Sequence, residues 1–228
     1  MMYSLRLWAG LFLILVVNLT AIGQSKVYVA GGVSNIFGSG VNIFLGQEGG
    51  LLKFNYPVLD IEYQTRVIGS FNFATGLSVI TAGYNTTDDS FSSASAFNAT
   101  YLGVPLMARW NAGNKNYLYF DFGMMPLYLA RAHLKESFDK FSNNDPVVVE
   151  GDVTKYSNRF YYAFKFQMLV LMNRFYLGVY FVEPFNGQST LKGLDGHWGL
   201  NSEQSTYLLS NGFSDFSIIG FKAGVRIK

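Results

Sequence analysis

The sequence contains no cysteine. This absence excludes a disulfide framework, thiolate metal sites, a cysteine nucleophile and a lipid-modified N-terminal cysteine. Charged residues are also scarce, at 14% of the chain, whereas a soluble domain usually carries about 25%. The formal net charge is only +2, and no cluster of lysines and arginines is present that would follow a phosphate backbone. We therefore expect no nucleic-acid partner.

Histidine is nearly absent as well, with only His133 and His197 in the whole chain. Two histidines without a third ligand at suitable spacing do not make a zinc site. The glycine pairs, such as Gly31-Gly32, have no strand-to-helix context for a phosphate-binding loop. The sequence therefore predicts neither a metal nor another cofactor.

Long apolar runs are missing except at the start, where residues 7–17 are almost wholly apolar and Arg6 is the only charge in residues 1–23. Small residues follow at Ala21 and Gly23, which is the pattern of a secretory signal peptide cleaved before Gln24. The alternative is a membrane anchor, but this run is well short of the ~20 residues that a spanning helix needs. We therefore predict a signal peptide over 1–23 and one mature domain over 24–228.

Aromatic residues and glycine are abundant instead, with 21 Phe, 15 Tyr and 24 Gly, a composition that favours β-strands over helices. Alternating polarity predicts eight strands, several of them long enough to cross a bilayer at a tilt, which takes about 10 residues. They are predicted over residues 26–35, 56–66, 71–84, 98–110, 117–133, 158–172, 175–185 and 213–227.

The predicted connections alternate between short and long, which is typical of outer-membrane barrels. Short turns are expected at 67–70, 111–116 and 173–174. Long loops are expected at 36–55, 85–97, 134–157 and 186–212. With both termini in the periplasm, an even number of strands places every long loop outside the cell.

One face of each predicted strand is large, apolar and aromatic, as in the series Phe160, Tyr162, Phe164 and Phe166. The opposite face carries glycine, alanine, serine and a few charges of both signs, which suits the narrow interior of a small barrel. We therefore place the apolar face against outer-membrane lipid. The barrel must then close, because an open sheet edge in hydrocarbon leaves backbone groups unpaired. The predicted fold is all-β, an eight-stranded antiparallel up-and-down transmembrane β-barrel in the bacterial outer membrane.

Nine charged residues have the strand parity of the barrel interior. An eight-stranded barrel is just wide enough to be filled by side chains, and an unpaired buried charge is very costly. We therefore expect these charges to pair into a structural network that plugs the lumen; the alternative is a gated or narrow polar path. The nine are Asp60, Glu62, Arg66, Arg109, Asp121, Arg159, Lys165, Lys222 and Arg226.

Three segments carry a resemblance to a known family. They are residues 101–110 (YLGVPLMARW), with an aliphatic-Pro-aliphatic step before a basic residue, residues 116–123 (NYLYFDFG) and residues 220–226 (GFKAGVR). Together they resemble the PorT-like outer-membrane β-barrels of Bacteroidetes. The resemblance implies the same barrel fold and a role beside secretion or motility machinery.

The function we expect is non-enzymatic, that of a membrane anchor or accessory subunit that binds a protein partner through its extracellular loops. The apolar run 146–149 is expected to extend strands above the membrane and to pair with the edge of a partner. One alternative is a narrow channel for small solutes. Another is a lipid-modifying hydrolase built on a serine, a histidine and an acid, although no nucleophile motif surrounds any candidate serine. Its candidate residues are His133, Glu136, Ser137, Ser189, His197 and Ser202.

Overall fold

A computed structural model of the protein describes residues 25–38, 56–68, 70–88, 93–112, 117–138, 147–185 and 216–227. The signal peptide predicted over 1–23 and most of the predicted long loops lie outside these ranges. The described residues form ten strands: β1 Lys26–Gly38, β2 Tyr56–Ile68, β3 Phe71–Asp88, β4 Ser93–Gly103, β5 Leu106–Asn111, β6 Leu118–Phe138, β7 Val147–Asp152, β8 Phe160–Met172, β9 Phe175–Pro184 and β10 Phe216–Arg226. No helix among the described residues is long and apolar enough to span a membrane.

The strands close into an antiparallel barrel with eight positions around its wall, which we call staves, and this confirms the predicted fold. Seven staves are single strands (β1, β2, β3, β6, β8, β9 and β10) and one consists of β4 and β5, whereas β7 lies outside the barrel wall. Each stave pairs with its neighbours along the chain, and β1 pairs with both β2 and β10, so the sheet has no open end around the barrel. The fourth stave consists of β4 and β5, which both pair with β3 and β6. These two strands are separated at Val104-Pro105, where proline has no N–H to donate to the ladder.

Burial alternates along the staves with a period of two, and the large apolar side chains are on the outside. In β8 every even-numbered residue from Phe160 to Met172 is exposed and every odd-numbered residue from Tyr161 to Leu171 is buried. At the end of the barrel with the short turns, Trp110, Tyr117 and Phe175 are also exposed. A band of exposed apolar side chains edged by aromatic residues is the surface of a membrane barrel.

Two predicted long loops are shorter than expected, because their strands continue above the membrane-spanning part. Strands β3 and β4 extend into the predicted loop 85–97 and leave only residues 89–92 between them. The predicted loop 134–157 contains the end of β6 and the additional strand β7. The sequence predicts that the run 146–149 extends the strands above the membrane, and Val147, Val148 and Val149 do so by pairing with β6 of the same chain. Among the described residues β7 pairs with no other strand, so pairing of this run with a partner's edge stays a prediction.

A β-bulge in β6 changes which residues face outward. The register between β4 and β6 shifts at Thr100–Tyr101, so Ala130 is the extra residue. Leu127 and Leu129 are buried before the bulge, whereas Ala132 and Leu134 are buried after it. The alternation therefore changes parity at Ala130, as expected when one extra residue enters a strand.

Candidate functional site

Six of the nine predicted interior charges meet in one cluster inside the barrel, which we call the ion network. Each lies at an inward position of its strand, and none is more than 3% exposed. The network contains three acids and three bases, so its formal charges cancel. Its members are Asp60 and Glu62 on β2, Arg109 on β5, Asp121 on β6, Lys165 on β8 and Lys222 on β10.

Glu62 is the centre of the ion network because it joins three different staves. Its carboxylate accepts hydrogen bonds from Arg109 Nη2 at 2.7 Å and from Lys222 Nζ at 2.5 Å. It also accepts one from Gln167 Nε2 at 3.2 Å. Neither Arg109 nor Lys222 lies on a strand that pairs with β2. Arg109 and Lys222 each lie two staves away from β2, and Gln167 lies on β8, the stave opposite, so these bonds connect parts of the wall that share no backbone ladder.

Arg109 makes the most complete set of contacts in the network. It donates to Asp121 through Nε at 2.8 Å and through Nη2 at 2.6 Å, which is the paired geometry that strengthens arginine–carboxylate contacts. Its Nη1 donates to Gln64 Oε1 at 3.0 Å. The guanidinium also lies 5.4 Å from the centre of the Tyr28 ring and 5.8 Å from that of Tyr119. Arg109 is thus compensated both by charge and by aromatic faces.

Asp60 binds the two lysines unequally. Lys222 Nζ donates to its Oδ2 at 2.7 Å, whereas Lys165 Nζ is 3.6 Å from the same oxygen. The other carboxylate oxygen accepts a hydrogen bond from Ser78. Lys165 also lies 5.7 Å from the ring centre of Tyr180, whose face provides further compensation.

Gly32 makes room for the long side chain of Lys222. It lies on β1 directly opposite Lys222 in the β1–β10 register. A Cβ at Gly32 would clash first with the backbone carbonyl oxygen of Phe221, and would also lie 2.8 Å from Lys222 Cα and 2.9 Å from its Cβ, closer than side chains tolerate. The glycine lets the lysine pass over β1 to reach Asp60 and Glu62 on β2.

The other three predicted charges do not take part. Arg159 is exposed, and its Nη1 donates to the Tyr128 hydroxyl at 3.0 Å, so the prediction that it lines the lumen is wrong. It stands just before β8 begins, and the strand no longer fixes its direction there. Arg226 is half-buried and forms no ion pair with the charged residues that the structure describes. The side chain of Arg66 lies outside the described part of the structure.

The prediction missed the neutral members of the network, because it considered charges alone. Gln64 also accepts a hydrogen bond from the Tyr28 hydroxyl at 3.0 Å, and Gln167 donates to Asp121 as well as to Glu62. Ser78 donates to Asp60. Gln64 and Gln167 share the inward parity of their charged neighbours, so the same alternation would have identified them.

Apolar layers close the lumen on both sides of the ion network. Toward the end with the long connections, a large cluster of buried residues fills the barrel, including Ile36, Phe97, Leu134 and Ile218. Toward the end with the short turns, Tyr28, Tyr119, Tyr176 and Leu171 belong to a smaller cluster. The predicted interior of small residues and charges therefore holds for only part of the lumen. An ion crossing this interior would have to pass these two clusters, where few polar groups are present to replace its water.

The residues considered for hydrolysis or metal binding do not assemble into a site within the described chain. His133 faces outward and lies opposite Asp152 in the β6–β7 register. The side chains of Glu136 and Ser137, and the whole of Ser189, His197 and Ser202, lie outside the described residues. In the part that the structure describes, no group of three or more histidine and acidic residues is arranged to hold a metal ion.

Comparison with known families gives one match, to the outer membrane protein beta-barrel domain, over residues 52–204. No curated protein matches. Among solved structures, the attachment invasion locus protein Ail of Yersinia pestis aligns at 12% identity and a TM-score of 0.40, over 90% of this chain and 99% of Ail. The Neisserial surface protein NspA aligns at 10% identity and a TM-score of 0.41, over 90% of this chain and 96% of NspA.

Proposed function

The chain belongs to the outer membrane protein beta-barrel domain family and is a barrel of the bacterial outer membrane. From this premise we propose that it is a non-enzymatic anchor that binds a protein partner through its extracellular loops. The observation that carries the proposal is the sealed interior. Clusters of buried apolar and aromatic residues lie on either side of the ion network, so the part of the chain that the structure describes shows no continuous polar route for a solute. Binding is then left to the surfaces that the barrel presents at its two ends.

The end with the long connections is the better binding surface, and we assign it to the cell exterior. Strands β3, β4, β6 and β7 extend there beyond the residues that pair with β2 and β8, and form a small sheet above the barrel. At the opposite end, β8 and β9 are joined by Asn173 and Arg174 alone. Asn173 has a φ of 60°, a conformation that asparagine tolerates better than most residues and that tight hairpins need.

The proposal includes export by the signal peptide over 1–23, with cleavage before Gln24. It also includes the finer relationship to the PorT-like barrels of Bacteroidetes, and hence a place beside secretion or motility machinery. That relationship is supported by the three segments 101–110, 116–123 and 220–226, and its functional part rests on analogy of fold. Sequencing the N-terminus of the protein from outer membranes tests the cleavage site, and any start other than Gln24 would correct it.

We propose a structural role for the ion network. Its six charges cancel, all six are buried, and they are bound to one another and to the neutral side chains of Gln64, Ser78 and Gln167. A network with this degree of pairing stabilises one arrangement of the wall and leaves no charge for a passing solute. Neither the channel nor the hydrolase alternative gains support from the described residues.

Cross-linking in intact cells, followed by purification of the barrel in mild detergent, tests whether it binds a protein partner. The purified barrel should carry one companion protein at fixed stoichiometry. Replacing the connection 139–146 between β6 and β7 with a short Gly-Ser linker should remove the companion, whereas the same linker at 113–116, at the other end, should not. A companion lost equally from both variants, or absent from the unaltered protein, would refute the proposal. Planar bilayer recordings provide the second measurement, since steady ion flow through the barrel would support the channel instead.

A further inference from the structure

The outer face of β6 changes from apolar to basic where the strand leaves the lipid-facing band. Phe122 and Met124 are exposed apolar residues, and Tyr128 also lies on this face. Beyond the bulge at Ala130, the outward side chains are Arg131, His133 and Lys135. Without the bulge, Arg131 would follow Leu127 and Leu129 into the hydrophobic cluster inside the barrel. The bulge therefore presents a basic column just above the membrane surface.

The turn after β7 fixes this bulge. Thr154 Oγ1 accepts the Ala132 N–H at 2.7 Å and donates to the Ala132 carbonyl at 3.3 Å. The backbone N–H of Val153 donates to the same carbonyl at 2.9 Å. Because both polar groups of Ala132 are held, the direction of the neighbouring Arg131 is determined by the fold. Bulges that redirect a side chain in this way are recurrent devices near binding sites.

A second arginine reaches the same place from β8. The carbonyl of Arg159 accepts the Leu129 N–H at 2.8 Å, so its backbone lies beside β6 two residues before Arg131. Two residues along a strand span about 7 Å. The Arg159 side chain turns outward to the Tyr128 hydroxyl at 3.0 Å. Two long guanidinium side chains at this spacing can reach the same small anion.

Neither arginine is neutralised within the part of the chain that the structure describes. Lys135 is paired with Glu150 at 2.9 Å. Asp152 lies near Arg131 and His133, but its carboxylate accepts the Thr154 N–H at 2.8 Å and is not within ion-pair distance of either residue. Arg131 and Arg159 therefore present two positive charges on the outside of the barrel that form no ion pair with the described residues, and the Asp152 carboxylate offsets the charge of Arg131 only at longer range.

An aromatic surface lies directly below these charges. The Tyr128 and Phe160 rings are 5.1 Å apart, and Phe160 and Tyr162 are each more than half exposed. Arg131 is three residues beyond Tyr128, but one of these is the bulge residue, so the advance along the ladder with β4 is two residues, from Leu102 to Thr100. That is about 7 Å along a tilted strand, which places Arg131 within the headgroup layer above the hydrocarbon. A guanidinium group can donate two parallel hydrogen bonds to the oxygens of one phosphate. Tyrosine and tryptophan rings favour the membrane interface at the level of the lipid headgroups.

From this arrangement we propose that Arg131 and Arg159 form a binding site for the phosphate group of an outer-leaflet lipid, whose acyl chains lie along Tyr128, Phe160 and Tyr162. The assignment to the outer leaflet rests on the orientation proposed above. Binding of a lipid phosphate in detergent does not depend on that orientation, so the two proposals fail separately. We assign the phosphate to a lipid rather than to a free anion because the two arginines lie next to the exposed apolar and aromatic side chains that face the membrane.

The test uses the full mature barrel in neutral detergent and measures lipid binding by native mass spectrometry. The probes are diphosphorylated lipid A and the same lipid with its phosphates removed. We expect the unaltered protein to bind the phosphorylated form about tenfold more tightly, the factor expected for charge-assisted hydrogen bonds to one anion. The double variant Arg131→Gln/Arg159→Gln should lose this preference. The control Arg174→Gln removes an exposed arginine at the opposite end and should keep it.

Each result bears on the proposal once the variants are shown to fold by their heat-dependent mobility on SDS gels. The proposal is supported if only the double variant loses the preference. It is overturned if the unaltered protein does not distinguish the two probes, or if the double variant still does. Inorganic phosphate provides the remaining arm: if it displaces the lipid at low millimolar concentration, the site is a general anion site and the lipid assignment is wrong.

Discussion

Replacing Lys222 with methionine tests the ion network most directly. Methionine keeps much of the length of the side chain and removes only its charge and its donors. Lys222 Nζ donates to Asp60 at 2.7 Å and to Glu62 at 2.5 Å, and the side chain is fully buried. After the change, three acids (Asp60, Glu62 and Asp121) would face two bases (Arg109 and Lys165).

The expected loss follows from what each carboxylate retains. Removing one partner of a buried ion pair costs about 3–5 kcal/mol, because the other charge is left uncompensated. Glu62 would keep its contact with Arg109 at 2.7 Å, and Asp60 would keep Ser78 and the longer contact with Lys165 at 3.6 Å. We therefore expect a loss near the lower end, about 3 kcal/mol, in the free energy of unfolding.

Urea titration of the barrel folded in lipid vesicles measures this free energy, with folded and unfolded forms separated by their mobility on unheated SDS gels. The matched control is Lys135→Met, the same substitution in the exposed pair with Glu150, whose side chains are 51% and 50% exposed. Exposed pairs are worth about 0–1 kcal/mol, so the control should change little. If Lys222→Met is no more damaging than this control, the network does not stabilise the barrel.

A double variant separates charge from packing. Adding Glu62→Gln to Lys222→Met leaves two acids (Asp60 and Asp121) facing two bases (Arg109 and Lys165), so the formal charge of the network returns to zero. We expect the double variant to be more stable than the sum of the two single losses predicts, by about 1 kcal/mol or more, because contacting residues are not additive. Strictly additive losses would show that the lysine acts through packing alone.

Three further predictions concern other parts of the barrel. Gly32→Ala should destabilise it by about 1–3 kcal/mol through overpacking against the Phe221 carbonyl oxygen and the backbone of Lys222, whereas Gly31→Ala, whose Cβ would meet only the Val58 carbonyl oxygen at 4.0 Å, should be neutral; equal urea midpoints would contradict this. Phe166→Arg should cost about 2–4 kcal/mol in vesicles if its outward face meets the bilayer centre, and a cost below 1 kcal/mol would argue against that placement. Hydrogen bonds from Thr154 hold the pKa of Asp152 below its usual 3.8. Its stabilisation of the turn after β7 is therefore present above pH 3.8 and lost as the pH falls through the lowered value. A lower protection of the Thr154 amide from exchange below that pH, relative to its intrinsic exchange rate at the same pH, checks this prediction, and Asp152→Asn should remove the pH dependence of the protection.

Strand parity predicted a large part of the molecule because every stave meets two different environments. Hydrocarbon outside and a narrow lumen inside select opposite side chains at alternate positions, as Lys165 and Phe166 show on β8. The same rule placed Asp60, Glu62 and Lys222 inside the barrel. Parity predicts the direction of a side chain but not its partners. The central position of Glu62, which binds residues on strands that do not pair with β2, could therefore be recognised only in the structure of the closed barrel.

The failures lie where the period of two is interrupted. One extra residue at Ala130 reverses the alternation in β6, and nothing in the local sequence marks it. Arg159 precedes its strand by one residue, where a hydrogen bond to Tyr128 decides its direction. The sequence predicts a loop where β7 lies, because the pairing of β7 depends on an extension of β6 above the membrane, where neither lipid nor lumen imposes a pattern.

The cost of burying charge raises the question of why the network exists, since apolar residues of similar volume often stabilise an interior equally well. The geometry of a barrel suggests an answer. A slip of one residue between two strands turns every inward side chain outward. For an apolar interior against an apolar bilayer, that slip would exchange similar residues at little cost. With Asp60 and Glu62 on β2 and Lys222 on β10, the same slip would place charges in hydrocarbon, at about 2–4 kcal/mol each for a basic residue at the centre. We infer that the ion network selects the register in which the first and last strands close the wall. A Lys222→Met/Asp60→Asn/Glu62→Gln variant should then fold into a mixture of registers, seen as doubled amide signals for β1 and β10, even where its total stability is preserved.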